Sequence, residues 1–229
     1  MRANLKFLIP LVLLLAGAGQ RMHAQVYLGA GGGTSFGQAT FRSITEHQIH
    51  WGGQGSVFAG YRTGRLFSLE LAFQYGGQAQ YALDCCPYWL SESGERTMVP
   101  LPNAKGWWYR DIYTRTRWGK VALQANFDLL SLVTDSGCRW SLNVSPQIAA
   151  VTTLTDTVTP NTTLSHGRQW HPGYGGQASL GLRLTERLDA ALYYGVTCLG
   201  GERFDNIPVH VHKSNLFWDG GLRLSFRLD

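Results

Sequence analysis

Between residues 66 and 76, apolar and polar side chains alternate with a period of two. Phe67, Leu69, Leu71, Phe73 and Tyr75 share one face, while Ser68, Glu70, Ala72, Gln74 and Gly76 share the other. A helix would space its apolar residues three and four apart, so this segment predicts a strand. The same alternation returns near the end of the chain, where Leu216, Trp218, Leu222, Leu224, Phe226 and Leu228 oppose Asp219, Gly221, Arg223, Ser225 and Arg227. Further segments of this kind cover residues 120–129, 140–148, 177–184 and 189–197, with Pro146 weakening the second of them because it has no N–H for a ladder. Residues 26–36 and 54–61 are glycine-rich and alternate less cleanly. Eight strands of roughly the length that crosses a bilayer result.

The connections alternate as well. Long segments near 38–53, 77–114, 156–173 and 199–214 are interleaved with short ones at 62–65, 131–139 and 185–187. A barrel inserted from the periplasm keeps short turns on that side and long loops outside, and an even strand count returns both ends of the chain to the periplasm. Periodicity alone does not separate inside from outside, and a soluble β-sandwich or lipocalin-like barrel would show a similar alternation. Aromatic placement favours the membrane: Tyr75, Trp140, Tyr194, Trp218 and Phe226 all fall on apolar faces, several near strand ends, as interfacial girdles require. The expected fold is therefore all-β, an eight-stranded antiparallel up-and-down transmembrane β-barrel.

Residues 1–24 stand apart from this pattern. Arg2 and Lys6 precede an apolar run from Phe7 to Ala18, too short to span a bilayer and shaped like a secretory signal peptide rather than an anchor helix. Cleavage after Ala24 or Ala18 leaves a small residue at the end of the leader, and Ala24 is preferred because Val26 opens a strand at once. The chain then divides into a leader, 1–24, and a barrel domain, 25–229. Removing the leader takes away Arg2, Lys6 and Arg21 and no acid, leaving 17 basic against 15 acidic side chains. No basic stripe remains in the mature chain, so no nucleic-acid partner is expected. No cofactor is expected either.

The chain resembles the small outer-membrane barrel family that includes OmpX and the membrane domain of OmpA. The likeness rests on the leader, the strand pattern, the loop asymmetry and the closing run from Gly220 to Leu228, which looks like the signal read by the outer-membrane insertion machinery. The resemblance implies a bacterial outer-membrane location, with membrane lipid and that machinery as partners.

An eight-stranded barrel has an interior just wide enough for side chains to fill. Glu70, Lys120, Arg183 and Arg223 fall on the predicted lumen faces, where charges must be paired. They predict a structural salt-bridge network, with a narrow ion path as the alternative. The six mature histidines, His47, His50, His166, His171, His210 and His212, fall in predicted outer loops, and nothing completes a metal site around them. Cys138 falls in a periplasmic turn, out of disulfide reach of Cys85, Cys86 and Cys198, whose own pairing is not readable from sequence.

His212-Lys213-Ser214-Asn215 is similar to the His-x-Ser-Asn element of outer-membrane lipid A deacylases of the PagL type. By that resemblance Ser214 would be the nucleophile and His212 its base. Of the acids that follow, Asp219 lies on the opposite face and Asp229 is terminal, so the orienting carboxylate is missing. The preferred reading is a structural or surface-interaction barrel without an open pore. Its outer loops carry Trp51, Tyr88, Trp89, Trp107, Trp108, Tyr109 and Trp170, either displayed to an extracellular ligand or packed as a cap over the barrel.

Overall fold

A computed structural model describes residues 25–83, 86–134, 137–201, 203–207 and 215–228. Eight long strands form the wall: β1 (Gln25–Gln38), β2 (Gly52–Arg62), β3 (Phe67–Tyr81), β4 (Tyr113–Asp128), β5 (Trp140–Val158), β6 (Gln169–Arg183), β7 (Leu188–Leu199) and β8 (Leu216–Arg227). Each pairs antiparallel with its neighbour in sequence. The sheet closes because β1 pairs with β8 from Tyr27↔Arg227 to Gln38↔Leu216. No helix among the described residues is long and apolar enough to cross a membrane.

The wall is oily outside and polar inside. On β3, Leu71 is 55% exposed and its neighbour Ala72 only 2%. Outward-facing Val57, Phe73, Leu123, Ile148, Leu192 and Leu222 continue the same exposed band, while Ser56, Ser68, Gln74, Gln124, Ser145 and Gln147 are buried in the lumen. A barrel in water would bury the first set and expose the second. This inversion is what hydrocarbon requires, since the apolar band meets lipid and every strand finds its backbone partners within the closed ladder. Trp51 and Trp170, 69% and 67% exposed, face outward at the long-loop rim, and Trp140 and Phe226 do so at the other end. All four stand on the outer surface near strand ends.

The strands run further toward the long-loop end than their apolar alternation indicates. β5 has 19 residues, β4 begins at Tyr113 and β3 ends at Tyr81. At about 3.3 Å per residue and a tilt of 35–45°, 19 residues reach roughly 45–50 Å, well beyond a band about 25 Å tall. Above the band both faces are polar, so the hydrophobic period fades while the ladder continues through Thr114, Thr116, Thr153, Thr155 and Thr157, all buried inside. The loops shrink accordingly. His171, expected in a loop, sits on the lumen side of β6, buried, with Nε2 3.1 Å from Thr153 Oγ1.

Pro146 acts locally as expected. The rungs Gln124↔Gln147 and Phe127↔Val144 share one register, and the two between them, at Pro146 and Ser145, are missing. Glycine is required where the seam is tight: a Cβ on Gly33 would fall on the Gly220 carbonyl, and one on Gly60 would occupy the space of the Tyr27 ring.

The position of the apolar band is open to direct measurement. Leu71→Arg, near the middle of the band, should cost about 2–4 kcal/mol of stability in denaturant titrations of the protein folded into phospholipid vesicles. A cost near zero would place Leu71 in water.

Candidate functional site

The lumen is built in layers. At mid-height Lys120 Nζ lies 3.1 Å from Asp219 Oδ1, and Gln74 Nε2 donates to Asp219 Oδ2 at 3.1 Å. All three side chains are buried. Nearby, Tyr193 and Gln54 hydrogen-bond one another, and Gln124, Gln147 and Thr197 form a chain of amide and hydroxyl contacts at 3.2 and 2.9 Å. Toward the short-turn end, Arg223 pairs with Glu70, which also accepts the Tyr27 hydroxyl at 3.1 Å. The Arg223 guanidinium stacks 3.7 Å from the centre of the Phe58 ring. At the mouth Arg227 forks onto both carboxylate oxygens of Asp189, at 2.8 and 2.7 Å.

Glu70 and Arg223 are thus joined directly, and Lys120 is neutralised by Asp219, which the sequence places on the same polar face without indicating a partner. Arg183 joins neither pair; it lines the short-turn end of the lumen, opposite Asp189 in the β6–β7 ladder, with no ion pair among the described residues. Cross-barrel pairs such as Lys120–Asp219 depend on the stagger of strands 99 residues apart in sequence, which alternation does not encode.

Directly above the Lys120 layer the lumen turns apolar. Trp118 and Phe217 meet edge to face with ring centres 4.3 Å apart, and Ala39, Val151, Leu199 and Phe204 complete the layer. Phe204 comes from the last long loop, whose backbone carbonyl at this residue accepts from Thr155 Oγ1 at 2.5 Å. A loop residue therefore fills the wall's interior.

Above the plug the long loops make a core of their own. Phe41, Cys86, Leu90, Tyr109, Ile112 and Ile207 are buried together, with Tyr88 and Trp107 packed against them. A small sheet of Trp89–Ser91, Arg96–Thr97 and Gly106–Trp108 roofs this core. Of the loop aromatics, Trp89 and Tyr109 are buried, so much of the expected display is internal packing. Asp205 ties the loops: its Oδ2 accepts the Phe41 N–H at 2.8 Å and its Oδ1 the Ile207 N–H at 3.3 Å. Complete burial pushes its carboxyl up to about 6, against the pull of those two N–H donors.

Other candidates resolve differently. His166 Nε2 contacts Thr157 Oγ1 at 3.0 Å, and His50 stacks on Tyr81. Among the described residues no three His, Cys, Asp or Glu side chains gather as metal ligands. Cys138 and Cys198 carry free thiols. His210, His212 and Ser214 lie outside the described residues, as do Cys85 and the leader. The fourth member of that motif, Asn215, holds the base of its loop, donating to the Leu199 carbonyl at 3.3 Å. Asp219, bound to Lys120 inside the lumen, is committed elsewhere.

No protein-family model matches the chain, and no curated protein matches it. Among solved structures it is similar to Neisserial surface protein A, with 15% identity, TM-score 0.45, 89% of this chain and 97% of that chain covered. It is also similar to Ail, the attachment invasion locus protein of Yersinia pestis, with 9% identity, TM-score 0.46 and coverages of 90% and 100%. A major outer membrane protein from Thermus thermophilus gives 13%, 0.47, 90% and 99%.

The buried charges lead to two expected outcomes. Lys120→Met, which leaves Asp219 buried without its cation, should cost about 3–5 kcal/mol, and adding Asp219→Leu should recover most of it. A double-mutant cycle on denaturant unfolding in vesicles measures this; additive losses would mean that the two charges are not coupled. Asp205 has its carboxyl raised on folding, so cap stability is full below the ordinary carboxyl value near 3.8 and falls as pH rises through about 6. Hydrogen-exchange protection of the Phe41 and Ile207 amides should therefore drop between about pH 4 and 7, by no more than about a hundredfold for a shift of this size, and the drop should vanish in Asp205→Asn.

Proposed function

We propose that this protein is a bacterial outer-membrane barrel, closed to diffusion, that holds a folded loop platform at the cell surface for contact with another protein. The observation that carries the reading is the second hydrophobic core, centred on Phe41, Tyr109 and Ile207, built by three loops that are separated in sequence by barrel strands. Loops that merely connect strands do not need a core, and ordering them costs entropy. A rigid platform lowers the ordering cost of binding a partner. Its exposed surface includes Met98 and Val99, 68% and 66% exposed, on the segment 98–105 beyond the small sheet. Exposed aliphatic side chains on an ordered support suit a protein partner better than a sugar or an ion.

The Trp118–Phe217–Phe204 layer argues for a sealed lumen rather than a narrow ion channel. The girdles and the apolar band supply the lipid partner. The closing strand, with Leu222, Leu224 and Phe226 facing outward, is the segment the insertion machinery would read.

The test uses cells displaying either the wild type or Met98→Asp with Val99→Asp. Both should appear in the outer-membrane fraction as bands whose gel migration changes on boiling. Adhesion to protein-coated surfaces should fall at least about tenfold in the variant, the loss of a small hot spot. Undiminished adhesion, or steady conductance steps from the purified wild type, would overturn the reading.

A further inference from the structure

The short-turn half of the lumen contrasts with the filled half above it. It holds a cavity of about 370 Å³ that opens between the short turns, where Gly64, Arg65, Ser131 and Thr134 form its rim. Six arginines line it: Arg62, Arg65, Arg139, Arg183, Arg223 and Arg227. Three carboxylates face them, Glu70, Asp128 and Asp189. Glu70 is taken by Arg223 and Asp189 by Arg227. Asp128 Oδ1 accepts the backbone N–H groups of Leu130 and Leu142 at 3.2 and 3.1 Å. Four guanidinium groups, on Arg62, Arg65, Arg139 and Arg183, are left without an ion pair among the described residues. Arg65 donates to the Thr134 carbonyl at 3.1 Å, and the Nε of Arg183 is buried with no partner among the described residues.

Among the described residues six guanidinium groups face three carboxylates; Arg65 and Arg139 are exposed at the rim, whereas Arg62 and Arg183 are half-buried in the barrel, where like charges are less well screened and repel one another. A barrel could have removed this cost with neutral side chains. We propose that the vestibule is a binding site for a small polyanion carrying two or more carboxylate or phosphate groups. Guanidinium forks match both oxyanion geometries in bidentate fashion, which a point charge such as lysine does not. The Ser179 and Ser225 hydroxyls on the lining add neutral donors. The volume exceeds that of a lone phosphate and falls in the range of small-ligand pockets. The apolar layer at Trp118 and Phe217 closes the site on its far side, so the anion enters and leaves by the short-turn mouth. This inference stands apart from the cap reading, since it concerns the opposite end of the molecule.

The experiment is calorimetric titration of the refolded barrel in zwitterionic micelles with pyrophosphate or citrate, at constant ionic strength made up with chloride. At least one should bind saturably at one per barrel, and which of them does identifies phosphate or carboxylate as the preferred group. Arg183→Gln and Arg62→Gln should each weaken binding by at least about tenfold, as loss of a charge-assisted fork does. Arg110→Gln, at an exposed position in the cap, should leave binding unchanged. Arg183→Lys, which keeps charge and loses the fork, serves if a glutamine variant fails to fold. Absence of saturable binding of both anions to the wild type would overturn the proposal, as would undiminished binding in the folded Arg62 and Arg183 variants.

Discussion

An unpaired peptide group in hydrocarbon costs several kcal/mol, so the ladder between β1 and β8 decides whether this chain can exist in a bilayer. That ladder runs unbroken from Tyr27↔Arg227 to Gln38↔Leu216. Its closeness constrains the residues at the seam, where Gly33 and Gly221 leave the backbones room that a side chain would take. Once the ring is closed, the period of two along each strand becomes a radial sorting. Leu71 goes to lipid and Ala72 to the lumen, and the polar faces of eight strands must satisfy one another in a narrow space.

The lumen meets this demand in different ways at different heights. At mid-depth Asp219, Lys120 and Gln74 neutralise and hydrogen-bond each other. The Phe217 ring lies 5.7 Å from Lys120 Nζ, so the apolar layer sits directly on this one. Phe204 belongs to the plug, and Asp205, the next residue, fastens the cap through the Phe41 N–H. Plug and cap are therefore one mechanical unit, with adjacent residues of one loop serving both. At the short-turn end the pairing is incomplete, and the positive excess around Arg62 and Arg183 remains.

Much of this was legible in the sequence. The parity of β3 and β8, the alternation of short and long connections and the positions of Glu70, Lys120 and Arg223 on lumen faces all follow from a period of two. Three things were not. Strand length beyond the apolar band escaped, because Thr114, Thr116 and Thr155 alternate with other polar residues and carry no hydrophobic signal, which is why His171 read as a loop residue. The partners of the lumen charges escaped, because Asp219 reaches Lys120 across the barrel at a height set by stagger. The cap core escaped, because Phe41, Tyr109 and Ile207 come from three loops with no shared period.

The barrel is inverted relative to one in water: apolar side chains face outward, and polar contacts with one apolar layer fill the interior. Nuclear Overhauser contacts between lipid acyl chains and side-chain methyls test it most directly, in the protein folded into nanodiscs. The methyls of Leu71, Leu123, Leu192 and Leu222 should contact acyl chains, while those of Ala72, Ala122 and Val151 should not, all three being buried inside. Acyl-chain contacts to Ala72 or Val151, with water contacts to Leu71 and Leu222, would contradict the account.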